Sequence, residues 1–109
     1  MSALYQMRYQ GVAGEGHGAV YIGKGKIVGV DITGARYAGI YVAKGTSLSG
    51  NVTLTSAGAK LVTGKQVPPG TEVPISFLLP PSFDNGQWQT ISVGGNSVKV
   101  AFDKVGDIP

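Results

Sequence analysis

The sequence predicts an all-β protein, one domain over residues 1–109 built as a single eight-stranded antiparallel up-and-down β-barrel with little or no helix. Three observations carry this reading. Eighteen of the 109 residues are glycine, and a glycine inside a helix costs about 1 kcal/mol relative to alanine, which leaves long helices no room. Apolar and polar side chains alternate over short runs, the period of a half-buried strand. Turn residues separate these runs, and several separations are short enough for tight hairpins.

The first run, Tyr5-Gln6-Met7-Arg8-Tyr9-Gln10, sets a large apolar group at every second position. Residues 18–23, 26–32 and 36–42 follow, divided by Lys24-Gly25 and Thr33-Gly34, each offering a residue that tolerates positive φ. Residues 47–56 form a fifth strand. The stretch 57–71 alternates weakly and contains Pro68-Pro69-Gly70, so it reads as a long connection with a short extra strand near Leu61-Val62. The sixth strand, residues 72–79, ends at Pro80-Pro81, and Asp84-Asn85-Gly86 turns the chain ahead of Trp88 and a seventh strand at 87–93. Gly94-Gly95-Asn96 makes the last hairpin, leading to residues 97–103. Closing such a meander on itself removes both free edges. An eight-stranded barrel is either filled by side chains or roomy enough for one small ligand.

Two strands carry apolar groups on both faces: Lys26-Ile27-Val28-Gly29-Val30-Asp31-Ile32 and Tyr37-Ala38-Gly39-Ile40-Tyr41-Val42. A strand with one wet face should show polar residues at every second place. Either the 57–71 connection folds over the outer face, or a second subunit does, since interfaces are enriched in tyrosine and large apolar patches are unusual on monomers. The interface candidates are Ile27, Gly29, Ala38, Ile40 and Val42.

Composition excludes several function classes. A chain of this length buries about 60 to 68% of its unfolded surface and needs no covalent staple. With no cysteine, a disulfide scaffold, a thiolate zinc site and a cysteine nucleophile are ruled out. One histidine and no carboxylates at ligand spacing leave no metal or cofactor site to expect. The net charge of +3 is spread evenly, whereas nucleic-acid binders gather it on one face, so no nucleic-acid partner is expected. No basic n-region with an apolar core opens the chain, and no apolar run approaches the roughly 20 residues that span a bilayer. The expectation is a soluble, cytoplasmic protein without a membrane partner.

The stretch Gly14-Glu15-Gly16-His17-Gly18 invites a chemical reading, but it lacks the spacing of a dinucleotide loop, has no Lys-Ser or Lys-Thr, and precedes a strand rather than a helix. Glu15 and His17 share a strand face without a nucleophile or oxyanion donors, so no catalytic site is assigned. The glycines read instead as the place where the chain leaves the first strand and bends sharply. Asp31 interrupts an apolar strand and reads as an Asx-type turn with Thr33-Gly34 rather than a functional carboxylate. Trp88, Phe77 and Phe102 read as core residues, and Tyr5, Tyr9 and Tyr21 can line an interior while presenting hydroxyls. The candidate cavity-lining set is Tyr5, Met7, Tyr9, Tyr21, Trp88 and Phe102.

The order of Leu4-Tyr5-Gln6-Met7-Arg8-Tyr9, Gly14-Glu15-Gly16, Ala19-Val20-Tyr21-Ile22, Gly25-Lys26-Ile27-Val28-Gly29-Val30-Asp31 and Tyr37-Ala38-Gly39 resembles the GrlR-type negative regulators of bacterial type III secretion. The similarity is clearest over residues 4–42 and looser to about residue 105. It implies a lipocalin-like barrel that forms a homodimer and acts by protein contact rather than chemistry, with a transcriptional activator as the kind of partner sequestered. One departure stands out: where the regulatory members carry an acidic surface run after the fourth strand, this chain has Ala43-Lys44-Gly45-Thr46-Ser47. A second reading of the same fold is a carrier of a small apolar ligand held inside the barrel.

Overall fold

The computed structural model describes residues 2–109. Eight strands run in sequence order: β1 (Ser2–Gly11), β2 (Gly14–Gly23), β3 (Lys26–Asp31), β4 (Arg36–Lys44), β5 (Ser47–Thr55), β6 (Glu72–Leu79), β7 (Gln89–Val93) and β8 (Asn96–Asp107). Each pairs antiparallel with its sequence neighbour, and β8 returns to β1 to close the barrel. The described residues contain no helix. The all-β, closed, eight-stranded up-and-down barrel expected from the alternation is the observed fold, and its architecture is consistent with a lipocalin-like barrel.

Local chemistry sets the hairpins. Lys24 and Gly25 both adopt positive φ, 54° and 78°, the requirement of a two-residue turn that follows the right-handed twist of its flanking strands. Gly94 and Gly95 do the same at 58° and 85°. The Asp31 carboxylate accepts the Thr33 backbone N–H at 2.9 Å, and the Gly34 N–H closes onto the Asp31 carbonyl at 3.0 Å, so the expected Asx turn forms between β3 and β4.

The first hairpin differs from the expectation. The chain turns at Val12 and Ala13, and Gly14-Glu15-Gly16-His17-Gly18 lies within β2, paired residue by residue with β1. No bend is centred there. The extra strand expected near Leu61-Val62 reduces to a single bridge between Lys60 and Gln66 that flanks a turn. Strands β1 and β8 extend beyond their predicted limits because they form the closing seam, which a reading by alternation alone does not reveal. The shortest seam is β6–β7, with two ladder pairs, Ile75 with Val93 and Ser76 with Ser92. Pro80-Pro81 draws the chain away from the sheet before β7 returns.

The two long connections close opposite ends. Residues 57–71 fold across the end that carries the β1–β2 and β3–β4 turns, held by the Ala13 N–H on the Val62 carbonyl at 2.8 Å and the Gly70 N–H on the Ser56 carbonyl at 2.8 Å. Residues 80–88 cover the other end, where Phe83 enters the core against Tyr5 and Phe102, with ring centroids 5.3 and 5.7 Å away in tilted and edge-on geometry. Such pairs contribute about 0.5–1.5 kcal/mol each beyond the area they bury. These three rings plug that end of the barrel.

Candidate functional site

Inward positions follow from register. Antiparallel partners project to the same side of a sheet, and Met7 pairs with Gly18, which in turn pairs with Asp31. In the neighbouring row Tyr5 pairs with Val20, Val20 with Gly29, and Gly29 with Tyr37. Gly16, Gly18, Gly29, Gly39 and Gly50 all stand where a Cβ would come within 3.0 Å of a neighbouring strand's backbone or the Tyr9 ring. Small residues there let the wall coil tightly and leave space inside.

The interior encloses a cavity of about 250 Å³. Its body is aliphatic and aromatic, formed by Met7, Val20, Ile22, Ile27, Val52, Leu54, Ile75, Phe77, Leu79, Ile91 and Phe102 among others. Its mouth lies among Ala13, Gly14, Glu15, Ile32, Thr33, Lys60 and Leu61, below the 57–71 connection. An apolar cavity of about 150 Å³ is enough to hold benzene, so this one accommodates a larger molecule.

One polar cluster interrupts the apolar lining. Asp31 is 8% exposed and accepts four hydrogen bonds: Oδ1 from the Thr33 N–H at 2.9 Å and the Thr33 Oγ1 at 2.6 Å, Oδ2 from the hydroxyls of Tyr9 at 3.0 Å and Tyr37 at 2.5 Å. A carboxylate has about four acceptor sites, and all are met here by neutral donors. The Tyr37 hydroxyl is held far above the usual tyrosine range, first by burial and then by its hydrogen bond to Asp31. Burial followed by the Asp31 charge raises Tyr9 in the same direction. Both hydroxyls keep their protons and point them at Asp31. Ser56, 5% exposed, is the other buried polar residue in the lining and accepts the Gly58 N–H at 2.9 Å.

Of the predicted lining residues, Met7, Tyr9 and Phe102 face the cavity. Tyr5 is buried, but it belongs to the Phe83–Phe102 plug beneath the cavity rather than to its wall. Tyr21 projects outward, since Val20 and Ile22 on either side take the inward positions, and its hydroxyl bonds Ser2 Oγ at 2.8 Å. Trp88 is neither core nor lining: it is 44% exposed and stacks on the outer surface over the Arg8 guanidinium, 5.2 Å from the ring centroid. Arg8 is anchored in turn by the Gly86 carbonyl at 2.9 Å and by Asp103 at 3.7 Å. Glu15 and His17 lie beside this pair on an open shallow groove.

The predicted interface residues separate into two sets. Ala38, Ile40 and Val42 project outward, with Ile40 64% and Val42 58% exposed. Ile27 is buried in the cavity wall, and Gly29 faces inward against Val20. Val28 and Val30 take their places on the outside, each 49% exposed. Because 57–71 closes the barrel mouth, it leaves this outer face of β3 and β4 bare, and of the two covers considered for it the intramolecular one is absent.

Register also supplies what the reading by residue type missed. Asp31 and Tyr37 join Tyr9, Thr33 and Ser56 as polar groups of the cavity. The pairing of Gly18 with both Met7 and Asp31 puts Asp31 on the inner side, and the pairing of Gly29 with both Val20 and Tyr37 does the same for Tyr37. Among the described residues no group of three or more His, Asp or Glu side chains is gathered as a metal would require, and no helix is long and apolar enough to cross a membrane. No protein-family model and no curated protein matches the chain.

Proposed function

We propose that this protein is a non-enzymatic regulatory or adaptor barrel of the kind its GrlR-type resemblance implies, a cytoplasmic homodimer acting through contact with another protein such as a transcriptional regulator. The bare outer face of β3 and β4 carries this reading. Val28, Val30, Ala38, Ile40 and Val42 lie on adjacent strands, and Leu78 continues the strip across Ser49, which pairs with both Val42 and Leu78. An apolar patch flanked by Lys26 and Arg36, the cross-strand partners of Ile40 and Val30, has the make-up of an association surface. The Lys44-Gly45-Thr46 turn is exposed and basic, so a partner that recognises an acidic run is not selected there. Light scattering over a concentration series tests the dimer: the expected mass is twice the chain's 11.2 kDa, and a monomer at the highest concentration removes the reading.

The cavity favours a second reading, a carrier or sensor of a small apolar molecule. A largely apolar interior with a few convergent polar groups is the usual form of a ligand site. Native mass spectrometry of freshly purified protein tests it through a co-purifying mass, and failure of both co-purification and hydrophobic-probe binding counts against it.

A further inference from the structure

The cluster around Asp31 is one-sided in its chemistry, and that restricts the head group it can hold. Ser56, elsewhere in the lining, accepts from the Gly58 N–H and keeps its own hydroxyl proton. Both tyrosine hydroxyls spend their single proton on Asp31 Oδ2, so toward the cavity they present only oxygen lone pairs. Thr33 spends its backbone N–H and its hydroxyl on Oδ1. The cluster therefore offers acceptors and no spare donor. Charge points the same way. Glu15 and Lys60, the other charged residues of the lining, stand exposed at the mouth with opposite signs, and the ion pairs among the described residues, Arg8–Asp103 and Lys104–Asp107, involve neither Asp31 nor any lining residue. The interior keeps one carboxylate without a cation, in surroundings where charge is weakly screened.

We propose that the cavity binds a small apolar amine, with its ammonium against the hydroxyl oxygens of Tyr9 and Tyr37 beside Asp31 and its hydrocarbon body against Ile22, Leu54 and Phe77. This rests on the carrier reading and sharpens it. An ammonium supplies donors to a site made of acceptors and compensates the buried charge, whereas a carboxylate head meets lone pairs and a like charge. A fatty acid, the commoner lodger of an apolar cavity, is thereby disfavoured.

Calorimetric titration at near-neutral pH with octylamine, octanol and octanoate, which share one hydrocarbon tail, tests this. The amine is expected to bind about tenfold tighter than the alcohol, the difference between a charge-assisted and a neutral hydrogen bond, and the acid weakest. Asp31→Asn is expected to bring the amine down to the level of the alcohol, and Tyr9→Phe, which keeps Asp31, to weaken the amine while preserving the order. Octanoate binding as tightly as octylamine, or an Asp31→Asn protein that keeps the amine preference, overturns the proposal and leaves the carrier reading standing. If none of the three ligands binds the wild-type protein, both fall together. The ranking on the wild-type chain is decisive even if Asp31→Asn fails to fold.

Discussion

Gly16 lies directly beneath the ring of Tyr9: a Cβ built on Gly16 would stand 2.4 Å from the Tyr9 hydroxyl oxygen and 2.5 Å from the carbon that bears it. The two are cross-strand partners in the β1–β2 ladder. The missing side chain on one strand is what lets the ring on the other lie flat against the wall and deliver its hydroxyl to Asp31. A glycine in a sequence that suggests a loop thus acts through space, within a strand.

Replacing Gly16 with valine forces the Tyr9 ring off the wall and breaks its bond to Asp31. The expected loss is about 1–3 kcal/mol in urea unfolding, the usual cost of overpacking together with a buried acceptor short of one donor. In a Tyr9→Ala background the same Gly16→Val change should cost much less, because the clashing ring is gone, and the double-mutant cycle isolates the pair. Equal costs in the two backgrounds would show that Gly16 serves the backbone rather than Tyr9.

Tyr9 and Tyr37 give the stability a definite pH dependence. Burial, then Asp31, raises both hydroxyls in the fold, so the folded chain keeps two protons that the unfolded chain releases above about pH 10. Their contribution is complete below that pH and declines above it, by about 1.4 kcal/mol per pH unit for each retained proton. Urea unfolding between about pH 9 and about pH 11 should show a falling stability whose slope is shallower in the Tyr9→Phe, Tyr37→Phe double variant. An unchanged slope would mean that the two phenols are not the source.

Strand boundaries were largely legible because alternation and turn glycines are local signals. The phase of β3 and β4 was not. With apolar residues on both faces, nothing in the strands themselves says that Ile27 and Gly29 turn inward while Val28 and Val30 turn outward. The register passed along from β1 decides it, through the turn at Val12 and Ala13 closed by the Gly11–Gly14 pair. Trp88 was misjudged for a different reason. Size and apolarity make the core the default for tryptophan, but Trp88 falls in the segment just before β7, where the guanidinium of Arg8 offers its ring a face on the outer wall. The polar cluster was half visible: the Asx turn of Asp31 is local, whereas its two tyrosine donors arrive from other strands.

The position of Trp88 yields an optical prediction. Outside the barrel and 44% exposed, it should emit as a solvent-facing indole and be readily quenched by acrylamide. Filling the cavity should leave its emission unchanged, while Arg8→Ala should alter its intensity by removing the stacked cation. A large emission shift on adding a cavity ligand would contradict this placement.

The outer strip sets the last expectation. If a second copy covers Ile40 and Val42, then Ile40→Glu buries a charge against an apolar partner surface without a counter-ion, a change that commonly costs several kcal/mol at an interface centre. The same substitution in an isolated barrel places glutamate in water on a strand face, at a cost of about 0.5 kcal/mol or less. Sedimentation velocity of the wild-type protein and the Ile40→Glu variant should therefore show a dimer turning into a monomer, with the far-ultraviolet circular dichroism unchanged. Thr90→Glu, on the exposed side of β7 beside Lys99, changes charge by the same amount on the far side of the barrel from the strip and should leave the dimer intact. Dissociation by both variants would point to net charge rather than the strip, and dissociation by neither would place the contact elsewhere.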